Sequence, residues 1–219
     1  MKVVLYAEGR GEIAGAAGER PLTRARLPDS NLGAGHLLVK RCLEQAGVPE
    51  VCFENPLLHK GREARGSDLL RAKTVRKLLA YPNSPPDLAV ILVDADEKAA
   101  DRRRSLLDAV SGRDSHLPRA VVAVAVQEFE AWLIAAHTTA QEVLETVLDT
   151  PPSPEKMARG EAKECLQAWL QNSERDHLEL RRSIVAVCDL SEIARRCPSF
   201  RRLERELSAE AIALLGARV

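Results

Sequence analysis

The 219-residue sequence has few aromatic residues, 3% of the chain, and no net charge, because 32 basic residues balance 32 acidic ones. With so few aromatic side chains, the core must be built from the aliphatic residues in a hydrophobic fraction of 45%. The zero net charge argues against a protein that coats nucleic acid over its whole surface, which would be basic overall. A chain without net charge can still carry a local basic surface.

The sequence also lacks long apolar runs and the common metal motifs. No run reaches the roughly 18 apolar residues of a membrane span, so we expect no membrane partner. The five cysteines are widely spaced without a CxxC pair, and the five histidines form no HxxxH or HExxH pair. These absences argue against a disulfide framework and a zinc site, and they predict reduced thiols in a cytoplasmic protein.

Four short apolar runs predict β-strands, at residues 2–7, 48–53, 88–93 and 120–126. Each run is nearly continuous rather than alternating, as in parallel strands that are covered on both faces. Helical patterns separate the runs, at about 31–45, 67–81 and 98–110. This alternation predicts an α/β fold of Rossmann-like type, with a mostly parallel sheet of about four strands flanked by helices.

The sequence after residue 127 differs, because it carries only helical patterns. They lie at residues 129–136, 140–148, 162–171, 177–187 and 200–215. Three prolines between residues 151 and 154 make a stiff break in front of most of them. We therefore predict an α/β core over residues 1–150 and a helical C-terminal extension over 151–219, packed on the core.

Three acidic residues fall where two predicted strands end. Glu8 follows the first strand, and Asp94 and Asp96 follow the third. In open α/β sheets, functional groups collect at the carboxyl ends of the strands, and residues two apart on a strand point to the same face. Carboxylates that converge repel one another unless a cation joins them. Oxygen ligands suit a hard ion, so the sequence predicts a site for Mg²⁺ or Mn²⁺.

Structural explanations for the same residues stay open at this point. Asp96 is well placed to cap the helix that follows it, because Asp is a favoured N-cap residue. Glu8 alone is as compatible with an ordinary loop carboxylate as with a metal ligand. The metal hypothesis depends on the combination of an acid followed by Gly9 after one strand and a DxD motif after another.

These motifs resemble the Toprim fold and, more narrowly, a bacterial Toprim-like family called domain of unknown function 4276. Residues 8–12 (EGRGE) resemble its opening EGxxE motif, and residues 92–96 (LVDAD) resemble its DxD strand. Residues 127–132 (QEFEAW) resemble its ExEAW segment, and residues 198–203 (PSFRRL) resemble its closing SFxxL motif. Lys163 resembles a lysine of the family's C-terminal part. The resemblance extends over almost the whole chain.

The resemblance implies a Toprim-like core with a divalent-metal site and nuclease chemistry on nucleic acid. It also implies an ATPase partner of the AAA or ABC type and a role in phage defence. Asp94 and Asp96 would then be metal ligands, and Glu8 a ligand or a general base acting through water. Glu12 would complete the site or be a solvated loop acid, and Glu130 would be a ligand of a second metal. For the neighbouring Glu128, an exposed acid at the start of a helix is the ordinary interpretation.

Phosphate binding requires basic side chains near the same edge of the sheet. Our candidates are Arg62, Arg65, Arg71 and Lys163, and Arg102, Arg103 and Arg104 follow the DxD motif. Such a set would hold a nucleic-acid backbone by charge without recognising its sequence. For each residue alone, a solvated helix face is the ordinary interpretation, and only the set as a whole favours phosphate binding. Arginines of the C-terminal part, such as Arg181 and Arg182, are open to binding nucleic acid, an acidic partner, or neither.

Three functions are compatible with this sequence. The first is a metal-dependent nuclease, and the second is a non-catalytic subunit that binds nucleotide or nucleic acid and docks on an ATPase. The third is a phosphotransfer domain of the receiver type, against which the position of Glu8 after the first strand and the helical C-terminal part both argue. The oligomeric state, the number of metal ions and the choice between DNA and RNA do not follow from the sequence.

Overall fold

The computed structural model describes residues 1–13, 26–81, 85–95, 99–110, 117–150, 153–171 and 173–217. The strands among these residues are β1 (Lys2–Ala7), β2 (Cys52–Glu54), β3 (Leu58–His59), β4 (Arg62–Glu63), β5 (Leu88–Asp94) and β6 (Arg119–Ala125). The helices of the first half are α1 (Arg10–Ile13), α2 (Ala34–Gln45), α3 (Ala72–Leu79) and α4 (Ala99–Val110). Those of the second half are α5 (Glu130–Ala135), α6 (His137–Leu144), α7 (Glu161–Leu170), α8 (His177–Val187), α9 (Leu190–Arg196) and α10 (Pro198–Gly216).

Four of the strands form one parallel sheet in the order β2-β1-β5-β6. This confirms the predicted α/β fold with a parallel sheet of four strands, flanked by helices and followed by a helical C-terminal part. The predicted strand at 48–53 is shorter and lies further along the chain, at Cys52–Glu54. It pairs only with β1 within this sheet.

The sheet divides the core into two apolar clusters, because successive strand residues point to opposite faces. Val3, Leu5 and Ala7 join one cluster, which includes buried residues of α2 and of α5 to α10. Val4 and Tyr6 join the other, which includes buried residues of α3 and α4. Both faces of the sheet are therefore covered, which explains why the strands read as continuous apolar runs.

The helical C-terminal part packs on the same face of the sheet as α2. Leu180, Ile184 and Phe200 are fully buried and belong to one cluster with Leu5 of β1. The cluster therefore contains residues from both sides of the boundary that we predict near residue 150. No helix among the described residues is both long and apolar enough to cross a membrane.

A small hairpin that the sequence did not predict is formed by β3 and β4. Leu58 pairs with Glu63 and His59 with Arg62, in antiparallel fashion. The two residues between the strands, Lys60 and Gly61, have φ angles of 52° and 77°. Positive φ at both central positions is the requirement of a type I′ hairpin turn. Arg62 lies on this hairpin, and Arg65 follows it, where the next residue, Gly66, donates its backbone N–H to the Glu8 carbonyl oxygen after β1.

Candidate functional site

Glu8 and Asp94 meet at the carboxyl edge of the sheet. The backbone N–H of Glu8 donates to the Leu92 carbonyl oxygen at 3.1 Å, continuing the pairing of β1 with β5. The Asp94 backbone N–H then donates to Glu8 Oε2, also at 3.1 Å. The side chain of Glu8 is thereby held across the end of the neighbouring strand, next to Asp94. The predicted convergence of these two residues is confirmed, whereas Asp96 lies outside the described residues.

Glu12 reaches the same region from the short helix α1 and is buried, with 5% of its surface exposed. Its alternative interpretation as a solvated loop acid is therefore wrong. A Cβ atom at Gly9 would lie 2.5 Å from Glu12 Oε2, and a Cβ atom at Gly35 would lie 2.9 Å from the Glu12 carbonyl oxygen. Glu12 can therefore pack in this position only because residues 9 and 35 have no side chains. Oε2 of Glu12 has no hydrogen-bond partner among the described residues.

Glu130 reaches the cluster from the start of α5, and the residue before it ties α5 to β5. The backbone N–H of Phe129 donates to Asp94 Oδ1 at 2.9 Å. Glu130 itself is 6% exposed, and its Oε1 accepts a hydrogen bond from the Arg181 guanidinium at 3.0 Å. The four acids Glu8, Glu12, Asp94 and Glu130, which we call the acidic cluster, are thus contributed by four separate segments of the chain.

The acidic cluster is electrostatically strained. Burial is the largest cause that raises the pKa of Asp94 to about 8. The charges of the other acids add to it, with Glu12 ahead of Glu130 and Glu8. Burial, followed by the charge of Glu130, likewise raises the pKa of Glu12 to about 7, although Arg181 acts in the opposite direction. Around neutral pH, protons or a cation must therefore relieve the repulsion among these carboxylates.

Two arginines lie at the acidic cluster. Arg102 of α4 donates a hydrogen bond to the Asp94 carbonyl oxygen, and its Nη1 lies 3.7 Å from Glu8 Oε2. Arg181 of α8 makes the ion pair with Glu130. In the sequence, Arg102 stands out only as part of the basic run at residues 102–104. Arg181 was not assigned to the site, because nothing in its local pattern distinguishes it from the other C-terminal arginines.

The donor set of the cluster suits a hard divalent cation, since every side-chain donor is a carboxylate oxygen. The buried and unpartnered Oε2 of Glu12 is consistent with a missing positive neighbour. Within the described residues, however, no three Asp, Glu, His or Cys side chains are placed close enough together to hold a metal ion. Asp96, the remaining predicted ligand, is not among those residues.

The model of one protein family, described as Domain of unknown function (DUF4276), matches residues 35–208. This chain belongs to the DUF4276 family. The matched residues include Asp94, Asp96 and Glu130, whereas Glu8 and Glu12 precede the DUF4276 match. Neither a curated protein nor a solved structure matches the chain.

Of the phosphate-binding candidates in this DUF4276 protein, Arg65 lies near the acidic cluster, and Arg62 lies on the β3–β4 hairpin. The Gly66 backbone N–H donates to the Glu8 carbonyl oxygen at 3.3 Å, which places the preceding Arg65 beside the end of β1. Arg65 is paired with Glu63 at 2.6 Å, and Arg62 with Asp68 at 2.7 Å. In both pairs the arginine side chain is exposed to solvent, so each arginine can exchange its carboxylate partner for a phosphate.

The other two candidates lie at helix starts. Arg71 is exposed and precedes the first residue of α3. Lys163 is exposed in the first turn of α7, where its backbone N–H donates to Glu128 Oε2 at 3.2 Å. Glu128 therefore caps α7, as an acid near a helix N-terminus commonly does. The structure gives no contact between Arg71 or Lys163 and the described acids of the acidic cluster.

Proposed function

We propose that this DUF4276 protein is a divalent-metal-dependent phosphodiesterase that hydrolyses nucleic acid. The observation that carries the proposal is the acidic cluster, in which four carboxylates from four segments are brought together at the carboxyl edge of a parallel sheet. Burial, and after it the charges of the neighbouring acids, raises the pKa values of Asp94 and Glu12, a cost that a purely structural core would avoid. Perturbed carboxylates at such an edge are typical of functional sites.

The chain's own residues prepare the site for a cation. The Phe129 N–H orients Asp94, and the Asp94 N–H orients Glu8, so both carboxylates are fixed before anything binds. We propose that Glu8 and Asp94 would hold the ion together with Asp96, or that Glu8 would act as a general base through water. When bound, Mg²⁺ or Mn²⁺ would polarise the phosphate of the substrate and lower the pKa of a bound water molecule.

The substrate class follows from the distribution of charge around the acidic cluster. Arg65 lies beside the end of β1 and Arg62 lies on the nearby hairpin, and we propose that they hold the phosphodiester backbone with Arg71 and Lys163. The neutral chain as a whole is compatible with such a local basic surface. The proposal extends to the context that the Toprim resemblance implies, an AAA-type or ABC-type ATPase partner in phage defence.

A second candidate function is a non-catalytic subunit of an ATPase complex that binds nucleotide or nucleic acid. It is favoured by one observation, that the Glu8 and Asp94 carboxylates already accept hydrogen bonds from backbone N–H groups. Carboxylates in structural roles are satisfied in the same way. In this case the edge would bind a partner, and the binding would survive the loss of the Asp94 charge.

Cleavage assays on single-stranded and double-stranded DNA and RNA distinguish the two candidates. We expect the wild-type protein to cleave at least one of them in Mn²⁺ and none of them in excess EDTA. Asp94→Asn should abolish cleavage without unfolding the protein, because asparagine keeps the Oδ1 that accepts the Phe129 N–H. Asp101→Asn is the matched control, since Asp101 is exposed on α4. Cleavage that is equal in Asp94→Asn and Asp101→Asn would rule out the proposed nuclease site.

A further inference from the structure

A groove of about 650 Å³ lies between helix α7 and the segment that follows α6. The described residues that line it include none of the four acids of the acidic cluster. Its buried lining residues are Leu148, Met157 and Trp169, which are all apolar and belong to the same core cluster as the C-terminal helices. The groove is therefore a partly apolar surface outside the site on which the proposed function depends.

Hydrogen bonds and ring packing fix the shape of this groove. The Leu148 backbone N–H donates to Gln141 Oε1 at 2.9 Å, and the Leu148 carbonyl oxygen lies 3.1 Å from His137 Nε2. The His137 ring also packs edge-on against the Trp169 indole, with ring centroids 5.7 Å apart. Both walls of the groove are thus held by His137 of α6. A surface that is ordered in advance avoids part of the entropy cost of binding.

The rim of the groove is negatively charged. Asp149, Glu161 and Glu164 line the groove and are exposed, and no basic residue is among the described residues that line it. Burial, and after it the charges of Glu161 and Asp149, raises the pKa of the Cys165 thiol, so the two acids act on one point in the groove. Such a surface repels the phosphates of nucleic acid and attracts cationic side chains.

Apolar groups stand beside these charges. Val147 lines the groove with 93% of its surface exposed, and Ala168 lines it from α7. The α7 residues of the groove, at positions 161, 164, 165, 168 and 169, are three or four apart and share one face of the helix. Helix α7 therefore presents a face to the groove in addition to the face that it packs on the core.

We propose that this groove docks a segment of a partner protein that carries both aliphatic and basic side chains. The aliphatic side chains of the segment cover Val147 and the apolar lining, and its lysine or arginine side chains pair with the acidic rim. Met157 suits such a surface, because a methionine side chain adapts to partners of different shape. The inference does not rest on the proposed nuclease function, since it uses neither the acidic cluster nor a metal ion.

The test is the fluorescence anisotropy of a fluorescein-labelled peptide of leucine and arginine, titrated with the protein in EDTA. Ala168→Arg places bulk and a positive charge in the groove, so it should weaken binding by roughly tenfold or more. Gln167→Arg is the matched control, because Gln167 is exposed next to Ala168 on α7 and does not line the groove. It should bind the peptide with the wild-type Kd. Asp149→Asn/Glu164→Gln should bind more weakly and lose less affinity in added salt.

Indole fluorescence gives a second readout that reports on the groove itself. Of the two tryptophans, Trp169 lines the groove, whereas Trp132 is fully buried and does not. Unlabelled peptide should therefore change the indole emission of the wild type and of Gln167→Arg. The change should be absent in Ala168→Arg and in Trp169→Phe, in which the phenyl ring can keep the packing against His137.

Four results would overturn the inference. Equal Kd values for Ala168→Arg and Gln167→Arg would show that the peptide binds elsewhere, and equal binding of a leucine and glutamate peptide would contradict the charge argument. Spermine that binds as tightly as the peptide would show a site for small polycations instead of a protein segment. No binding at millimolar peptide would remove the docking site. Failure of the protein to bind Mn²⁺ or to cleave nucleic acid would contradict only the proposed function.

Discussion

The metal-free protein should lose stability as the pH rises, and Glu12→Gln should remove much of that loss. Glu12 is buried, and its pKa is raised from 4.5 to about 7. Between these two values the folded state holds a proton that the unfolded state has released. The cost of the ionised carboxylate is therefore absent below pH 4.5, grows as the pH rises toward 7, and is fully present above it.

The difference between 4.5 and about 7 corresponds to about 3 kcal/mol of unfolding free energy. Glutamine has nearly the same shape and no charge at any pH, so Glu12→Gln avoids this cost. The substitution also removes the largest charge effect that raises the pKa of Asp94. The loss of unfolding free energy that the ionisation of Asp94 causes up to about pH 8 should therefore become smaller. The variant should therefore exceed the wild type by about 1 kcal/mol at pH 5 and by about 3 kcal/mol at pH 8.

Urea unfolding followed by circular dichroism at pH 5, 6.5 and 8, with EDTA present, measures this difference. Glu164→Gln is the control, because Glu164 is exposed on α7 and its substitution should leave the pH dependence of the wild type unchanged. The reasoning fails if the wild type and Glu12→Gln lose the same free energy between pH 5 and 8. It fails as well if the wild type becomes more stable over that interval.

Two further substitutions test the packing around the site. A Cβ atom at Gly9 would lie 2.5 Å from Glu12 Oε2, so Gly9→Ala should displace the carboxylate and weaken Mn²⁺ binding roughly tenfold, as measured by calorimetry. Ser199 accepts a hydrogen bond from Trp132 Nε1 at 2.8 Å, so Ser199→Ala should lower the unfolding free energy by about 1–3 kcal/mol in urea, because the buried indole N–H loses its partner.

Both substitutions have matched controls. Gly216→Ala should leave Mn²⁺ affinity unchanged, since an added Cβ there meets no atom within 4 Å. Ser208→Ala should cost less than Ser199→Ala, because the Ser208 hydroxyl donates to the Glu204 carbonyl oxygen of its own helix. Equal effects within either pair would show that the contacts described at Gly9 or Ser199 are not the cause.

The main sheet was predictable because its strands are long and buried on both faces. The predicted strands at 2–7, 88–93 and 120–126 lie within one residue of β1, β5 and β6. The strand predicted at 48–53 was displaced because β2 is only three residues long and pairs with one neighbour in the sheet. Before β2, apolar residues such as Val48 are buried without belonging to a strand, so their hydrophobicity misplaced the prediction.

Other short elements were not predicted either, because they contain too few residues to show a pattern. The helix α9 has seven residues between two longer helices, which is too short for a periodic pattern to stand out. The β3–β4 hairpin has strands of two residues, and its turn lacks the common Asn-Gly or Asp-Gly signal. The beginnings of α2 and α3 were also predicted too early, because the segments before them form short 3₁₀ helices instead.

The site was predictable only where sheet topology dictates it. Glu8 and Asp94 follow strands that are parallel neighbours, so their meeting follows from the fold. Burial of Glu12 depends on the space left by Gly9 and Gly35, which no periodic pattern reveals. The pairing of Arg181 with Glu130 joins residues 51 positions apart and depends on how the C-terminal helices pack, so no local sequence pattern indicates it.

The most direct test of a cation site in the acidic cluster is calorimetric titration of Mn²⁺ into the wild type, Asp94→Asn and Asp101→Asn, each checked for folding by circular dichroism. We predict that the wild type and Asp101→Asn bind Mn²⁺ and that Asp94→Asn does not. Equal binding by all three folded proteins would contradict the account, because the metal would then lie elsewhere.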